Sequence, residues 1–113
     1  MRTVWLLRGP DVLASAEVAE GFGDRTRGLI GRRDFDGAML LVRTRSVHSF
    51  GVPYALDVAF LDRELNVVAT VRLRKWAMTR PRKGCCHVLE ARAGSFERWR
   101  LRPGDRVELR EPG

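Results

Sequence analysis

The sequence predicts an α+β domain that is mostly β: a small curled or barrel-like, largely antiparallel sheet with one or two short helices. Three observations lead there. Apolar runs of strand length recur along the chain, at residues 3–8, 12–19, 38–42, 58–61 and 67–73. Only two stretches have helical character, and both are short. No regular strand–helix–strand alternation occurs, which disfavours a doubly wound parallel sheet. With 113 residues the chain is read as one domain over residues 1–113, long enough to bury about two thirds of its unfolded surface without disulfides or metal.

Taken in order, residues 3–8 form a first strand and Pro10-Asp11 turns the chain into residues 12–19, which pair with it as a hairpin. Asp24 is positioned to cap a short helix through roughly Arg33, with Leu29 and Ile30 on its buried side and Arg25, Arg27, Arg32 and Arg33 on its wet side. Gly28 and Gly31 interrupt it. Each costs about 1 kcal/mol relative to alanine in a helix interior, so the pair points to close backbone packing or an early helix end. Residues 38–42 (AMLLV) are a short apolar strand. Residues 58–61 and 67–73 form a second hairpin, its return strand placing Val67, Ala69, Val71 and Leu73 on one face and Val68, Thr70, Arg72 and Arg74 on the other. Residues 87–91 are a further strand, 94–99 a short helical turn, 102–105 a tight turn and 106–110 the closing strand.

Lys and Arg number 21 against 14 Asp and Glu, a formal net charge of +7. Between residues 72 and 83 stand Arg72, Arg74, Lys75, Arg80, Arg82 and Lys83 with no acid among them, and Trp76 lies inside the run. Basic residues beside an aromatic can hold phosphates and stack a base, but an Arg-rich solvated face accounts for the same composition. Nucleic acid is therefore an open partner and not the favoured one. The apolar stretch at residues 4–7 is too short for a signal peptide, and no membrane span is suggested. The expected compartment is the cytoplasm, with Cys85 and Cys86 as reduced thiols.

Six segments in sequence, at residues 26–32 (TRGLIGR), 37–40 (GAML), 47–52 (VHSFGV), 56–62 (LDVAFLD), 88–91 (VLEA) through Ala93-Gly94, and Gly104-Asp105, resemble the family called domain of unknown function 192. The resemblance covers nearly the whole chain from about Arg25 to Leu109. It implies a small β-rich domain with no settled activity, substrate or cofactor. Many relatives carry a Trp-Met-Lys-Asn segment where residues 46–51 stand here, so a role drawn from that lysine does not transfer. Relatives also often carry an export signal.

The candidate chemistry centres on residues 46–62, where His48 and Asp57 interrupt an apolar run. A carboxylate beside a neutral imidazole makes it a better base, so His48 as base with Asp57 as its orienter is the hydrolase-type alternative. Against it stands a structural role, with Asp57 capping backbone amides and His48 satisfied locally. Zinc is not expected, because Cys85, Cys86 and His87 are adjacent, whereas structural zinc ligands leave two to four residues between them. No cofactor is expected: Gly28-Leu29-Ile30-Gly31 has neither the lysine of a phosphate loop nor the context of a dinucleotide fold. The leading expectation is a non-enzymatic binding or accessory domain. His48, Ser49, Tyr54 and Asp57 would meet in a polar notch rimmed by Arg72, Arg74 and Trp76, suited to a small anionic or carbohydrate-like ligand or to a partner.

Overall fold

The computed structural model describes all residues from Met1 to Gly113. Strands β1 (Arg2–Arg8) and β2 (Asp11–Ala19) form the expected antiparallel hairpin. Helix α1 (Phe22–Arg27) follows, then β3 (Ala38–Leu41), the hairpin β4 (Leu56–Leu61) and β5 (Val67–Leu73), β6 (His87–Arg92), the single turn α2 (Ser95–Trp99) and the edge strand β7 (Glu108–Arg110). One seven-stranded sheet runs in the order β5-β4-β6-β3-β2-β1-β7. All of its pairings are antiparallel except β2 with β3, which α1 and the following turns connect as a parallel pair.

The expected curled, largely antiparallel sheet is present, open rather than closed into a barrel, since β5 and β7 remain edges. They approach only at one corner, where the Val67 N–H donates to Asp105 at 2.7 Å, Gly104 to Val67 at 2.8 Å and Val107 to Leu65 at 3.0 Å. One expectation needs correction: the helix is shorter and earlier than residues 24–33. Asp24 lies in its first turn, Gly21 is the N-cap, and the helix ends at Gly28 with φ 47°. A glycine reaches that left-handed φ at little steric cost, so the early end anticipated from the two glycines is the outcome, and Leu29 and Ile30 fall in the turn beyond.

The near-continuous apolar runs of β3, β4 and β6 are those of strands covered on both faces. One cluster, including Val4, Leu6, Val18, Leu40, Leu61, Leu89 and Val107, draws on strands from both ends of the sheet and fills the inside of the curl, with Phe96 of α2 against it. The second, including Met39, Leu41, Leu56, Val58, Phe60 and Val88, covers the outside beneath Leu29, Phe35, Val47, Val52 and Tyr54. Each side chain of a central strand is thereby committed to one of two dry layers by its parity alone.

Candidate functional site

Strand parity separates the two residues that the sequence singles out. Leu56 and Val58 belong to the outer layer, so Asp57 between them points into the curl. It is 4 % exposed. Its Oδ2 accepts the backbone N–H groups of Gly94 and Phe96 at 2.9 and 3.0 Å, and its Oδ1 accepts Nε of Arg72 at 3.1 Å. Asp57 thus caps the start of α2, the structural role weighed above. His48 lies on the other side, in the loop over the outer layer, where its Nδ1 accepts the Phe50 N–H at 3.1 Å. The two share no cavity. The orienting pair of the hydrolase-type alternative is not formed, and a single notch holding His48 and Asp57 does not exist.

The other named residues are dispersed as well. Ser49 is fully buried and ties the loop down: its Oγ donates to the Arg74 carbonyl at 2.7 Å and accepts the Ala77 N–H at 3.0 Å. Tyr54 is buried in the outer layer with the Arg92 guanidinium 4.6 Å from its ring centroid, and its hydroxyl has no hydrogen-bond partner. Burial pushes its phenol above the ordinary value. Arg72 is spent on Asp57, whereas the Arg74 and Trp76 side chains face solvent. Cys85 donates toward the carbonyls of Thr44 and His87, and the His87 Nδ1 accepts the Arg43 N–H at 3.0 Å. These two side chains are satisfied by backbone groups and not by one another.

The residue absent from the sequence-predicted site is Glu90. It alternates with Val88 on the outer face of β6, is 3 % exposed, and lines a hollow of 340 Å³ between the sheet and the α1 layer. Burial is the sole influence on its carboxyl, with no hydrogen bond or neighbouring charge offsetting it, and pushes it up to about 8. At neutral pH most of the population carries a proton there. Gly28 closes over the site, since a Cβ at that position would stand 3.7 Å from Glu90 Oε1. The loop holding His48 docks beside it: the Gly31 N–H donates to Gly51 at 3.1 Å, and a Cβ at Gly51 would meet Ile30 at 3.1 Å.

The polar walls of the hollow come from Thr26, Thr44, Ser46, His48 and Arg25. Thr26 and Thr44 donate their hydroxyl protons to the carbonyls of Phe22 and Val42, at 2.9 and 3.0 Å, leaving lone pairs as acceptors. His48, accepting at Nδ1, carries its proton at Nε2 when neutral. Arg25 reaches the carbonyls of Val42 and Arg43 through its terminal nitrogen, while its buried Nε is without a partner. The signal for Glu90 is present in the sequence: an acid inside the run His87-Val88-Leu89-Glu90-Ala91, too apolar for a strand with one wet face.

A curled, open, mixed sheet with a capped inner layer and a helix-and-loop layer outside defines the class: a small β-rich domain. The chain belongs to the domain of unknown function 192 family (DUF192), described as an "Uncharacterized ACR", whose model matches residues 6–109. Among curated relatives, a UPF0127 protein of Pyrococcus abyssi is 31 % identical over 97 residues, covering 81 % of this chain and 83 % of that one. A second, from Pyrococcus furiosus, is 27 % identical over 106 residues and covers 89 % and 91 %. A crystal structure from Sinorhizobium meliloti 1021, of a protein named as a candidate transcription regulator, superposes with a TM-score of 0.80 at 26 % identity over 95 % of this chain and 92 % of that one. A protein of unknown function from Novosphingobium aromaticivorans gives 0.76 at 21 % identity, over 94 % and 83 %, a likeness of fold.

Proposed function

We propose that this chain is a non-enzymatic binding domain for a small carbohydrate-like ligand, seated in the hollow floored by Glu90. One observation carries the reading: Glu90, a residue only 3 % exposed, turns a carboxyl that receives no hydrogen bond from the protein into a cavity. Withdrawing a carboxyl from bulk water without a protein partner is costly, and a leucine there would be more stable. Such an arrangement makes sense where a ligand supplies the missing partner. The chemistry of the walls selects the ligand. A protonated carboxyl offers one donor and one acceptor, and the Thr26 and Thr44 hydroxyls offer acceptors, which together suit the hydroxyl groups of a polyol better than a bare anion. Arg72, Arg74 and Trp76 do not line this hollow, where Arg25 and Arg27 are the only guanidinium groups.

The test compares the natural chain with Glu90→Leu in thermal denaturation against a panel of small sugars, polyols and monoanions. Glu90→Leu melts higher when alone and is no longer stabilised by any sugar that stabilises the natural chain. Destabilisation by Glu90→Leu, or equal stabilisation of both proteins by the same compound, removes Glu90 from the binding role.

A further inference from the structure

We propose that the face carrying the His48, Phe50 and Trp76 rings binds single-stranded nucleic acid, the rings stacking bases and the surrounding cations holding phosphates. The rings form a ladder: His48 and Phe50 have centroids 5.0 Å apart with planes at 26°, Phe50 and Trp76 5.8 Å apart at 28°. Trp76 ends the ladder with 68 % of its surface exposed, and Phe50 and Met78 add 39 % and 68 %. Large apolar groups grouped on a surface in this way mark an interaction site.

The ladder is a built feature. Trp76 has φ 57°, a left-handed conformation that a bulky residue adopts only against a steric cost. It is held there from both sides. The Ser49 hydroxyl bonds Arg74 and Ala77, Ser49 N–H donates to Ala77 at 2.8 Å, and Thr79 N–H donates to Val47 at 2.8 Å. Strain retained to present an indole to solvent is what a stacking platform requires.

The charges around it select the partner. Arg74, Lys75, Arg80, Arg82 and Lys83 are all exposed and none forms an ion pair; of the run's six cations only Arg72 is neutralised. Beside the ladder lies a hollow of 640 Å³, lined in part by Phe60, Met78, Arg80, Arg82 and Lys83, with no acid on its walls. An aromatic ladder with free cations complements a strand of alternating bases and phosphates. A lipid surface would be met by ring edges and aliphatic tips, whereas here the faces are stacked and the terminal face is free for another layer. Duplex DNA, with its bases already stacked inward, cannot use that face.

The experiment titrates the full chain against a 15-nucleotide oligo-dT carrying a terminal fluorophore, following the anisotropy of the oligonucleotide, and the intrinsic fluorescence of the natural chain, at several salt concentrations. The expected results are quenching on binding and a log K against log salt slope of about −3.5, from five phosphates at about 0.7 each. Trp76→Ala weakens binding about tenfold or more, the loss of one stacked base, and Trp76→Phe restores part of it. Trp76→Gly, which relieves the left-handed φ, abolishes stacking without lowering the melting temperature. Failure to bind oligo-dT at 50 mM salt overturns the proposal. So does equal affinity for the duplex or for linear polyphosphate, insensitivity to Trp76→Ala, or binding to anionic phosphatidylserine vesicles without binding to the oligonucleotide.

Discussion

Asp57 on β4 holds the backbone of Phe96 in α2, its Oδ2 accepting the Phe96 N–H at 3.0 Å across 39 positions of sequence. The same oxygen accepts Gly94 at 2.9 Å. A five-residue helix is too short to persist on its own, so its place at the mouth of the inner layer depends on this carboxylate and on the packing of Phe96. Asp57→Ala strands two N–H groups in a dry setting and should cost about 2–4 kcal/mol. Arg72→Ala removes only a partner whose side chain is 59 % exposed and should cost under about 1 kcal/mol. Urea denaturation of the two variants checks the contrast; equal losses would mean that the ion pair, rather than the amide cap, is what matters.

Glu90 gives stability an unusual pH dependence. Its carboxyl titrates near 4.5 when unfolded and near 8 when folded, so between those values the native state holds the proton that the unfolded chain has released. Its contribution is fully present below about pH 4.5 and is lost as pH rises toward 8. Glu90→Gln has no proton to lose. The stability difference between Glu90→Gln and the natural chain should therefore move in favour of the variant by a few kcal/mol between pH 5 and pH 8, as measured by urea denaturation at each pH. A pH-independent difference would show that the carboxyl is ionised throughout.

Gly37 precedes β3 with φ +112°, and a Cβ there would stand 2.6 Å from the backbone oxygen of Ser15. Backbone on a neighbouring strand cannot rotate away as a side chain can. Gly37→Ala should cost at least about 2 kcal/mol, whereas Gly9→Ala, with nothing within 4 Å of its Cβ, carries only the smaller cost of its positive φ. Their melting temperatures, measured side by side, separate collision from conformational strain.

The two thiols should react in sequence. Cys85 is buried and its thiol is pushed up, chiefly by burial, while Cys86 is half-buried. Cys86 should react with a thiol reagent under native conditions and Cys85 only as the protein unfolds. Mass spectrometry of the singly labelled protein identifies the site, and prior labelling of Cys85 would contradict the burial.

Much of the fold was legible. The β1–β2 and β4–β5 hairpins, the short strands β3 and β6 and the helical turn before Leu101 follow from local alternation and turn residues such as Pro10-Asp11. Asp24 resembles a cap and so suggests a later helix, whereas Gly21 caps it and Gly28 determines where it stops. The candidate site was less legible. His48 and Asp57 are nine positions apart and look adjacent in the sequence, yet the sheet stands between them. Glu90 was visible only as one acid in a short strand, because nothing local says which layer its side chain enters.

The sequence by itself determined the class of architecture, the family and the strongly basic character of the loop from Arg74 to Lys83, since periodicity, motif order and charge are properties of the chain as written. The tertiary structure alone decided that Asp57 faces α2, that Glu90 faces a hollow without a partner, and that three rings from two distant loops stack. The reason is that a strand sends successive side chains to opposite faces. What each face meets is set by sheet order, and sheet order here arises from pairings between strands far apart in the chain.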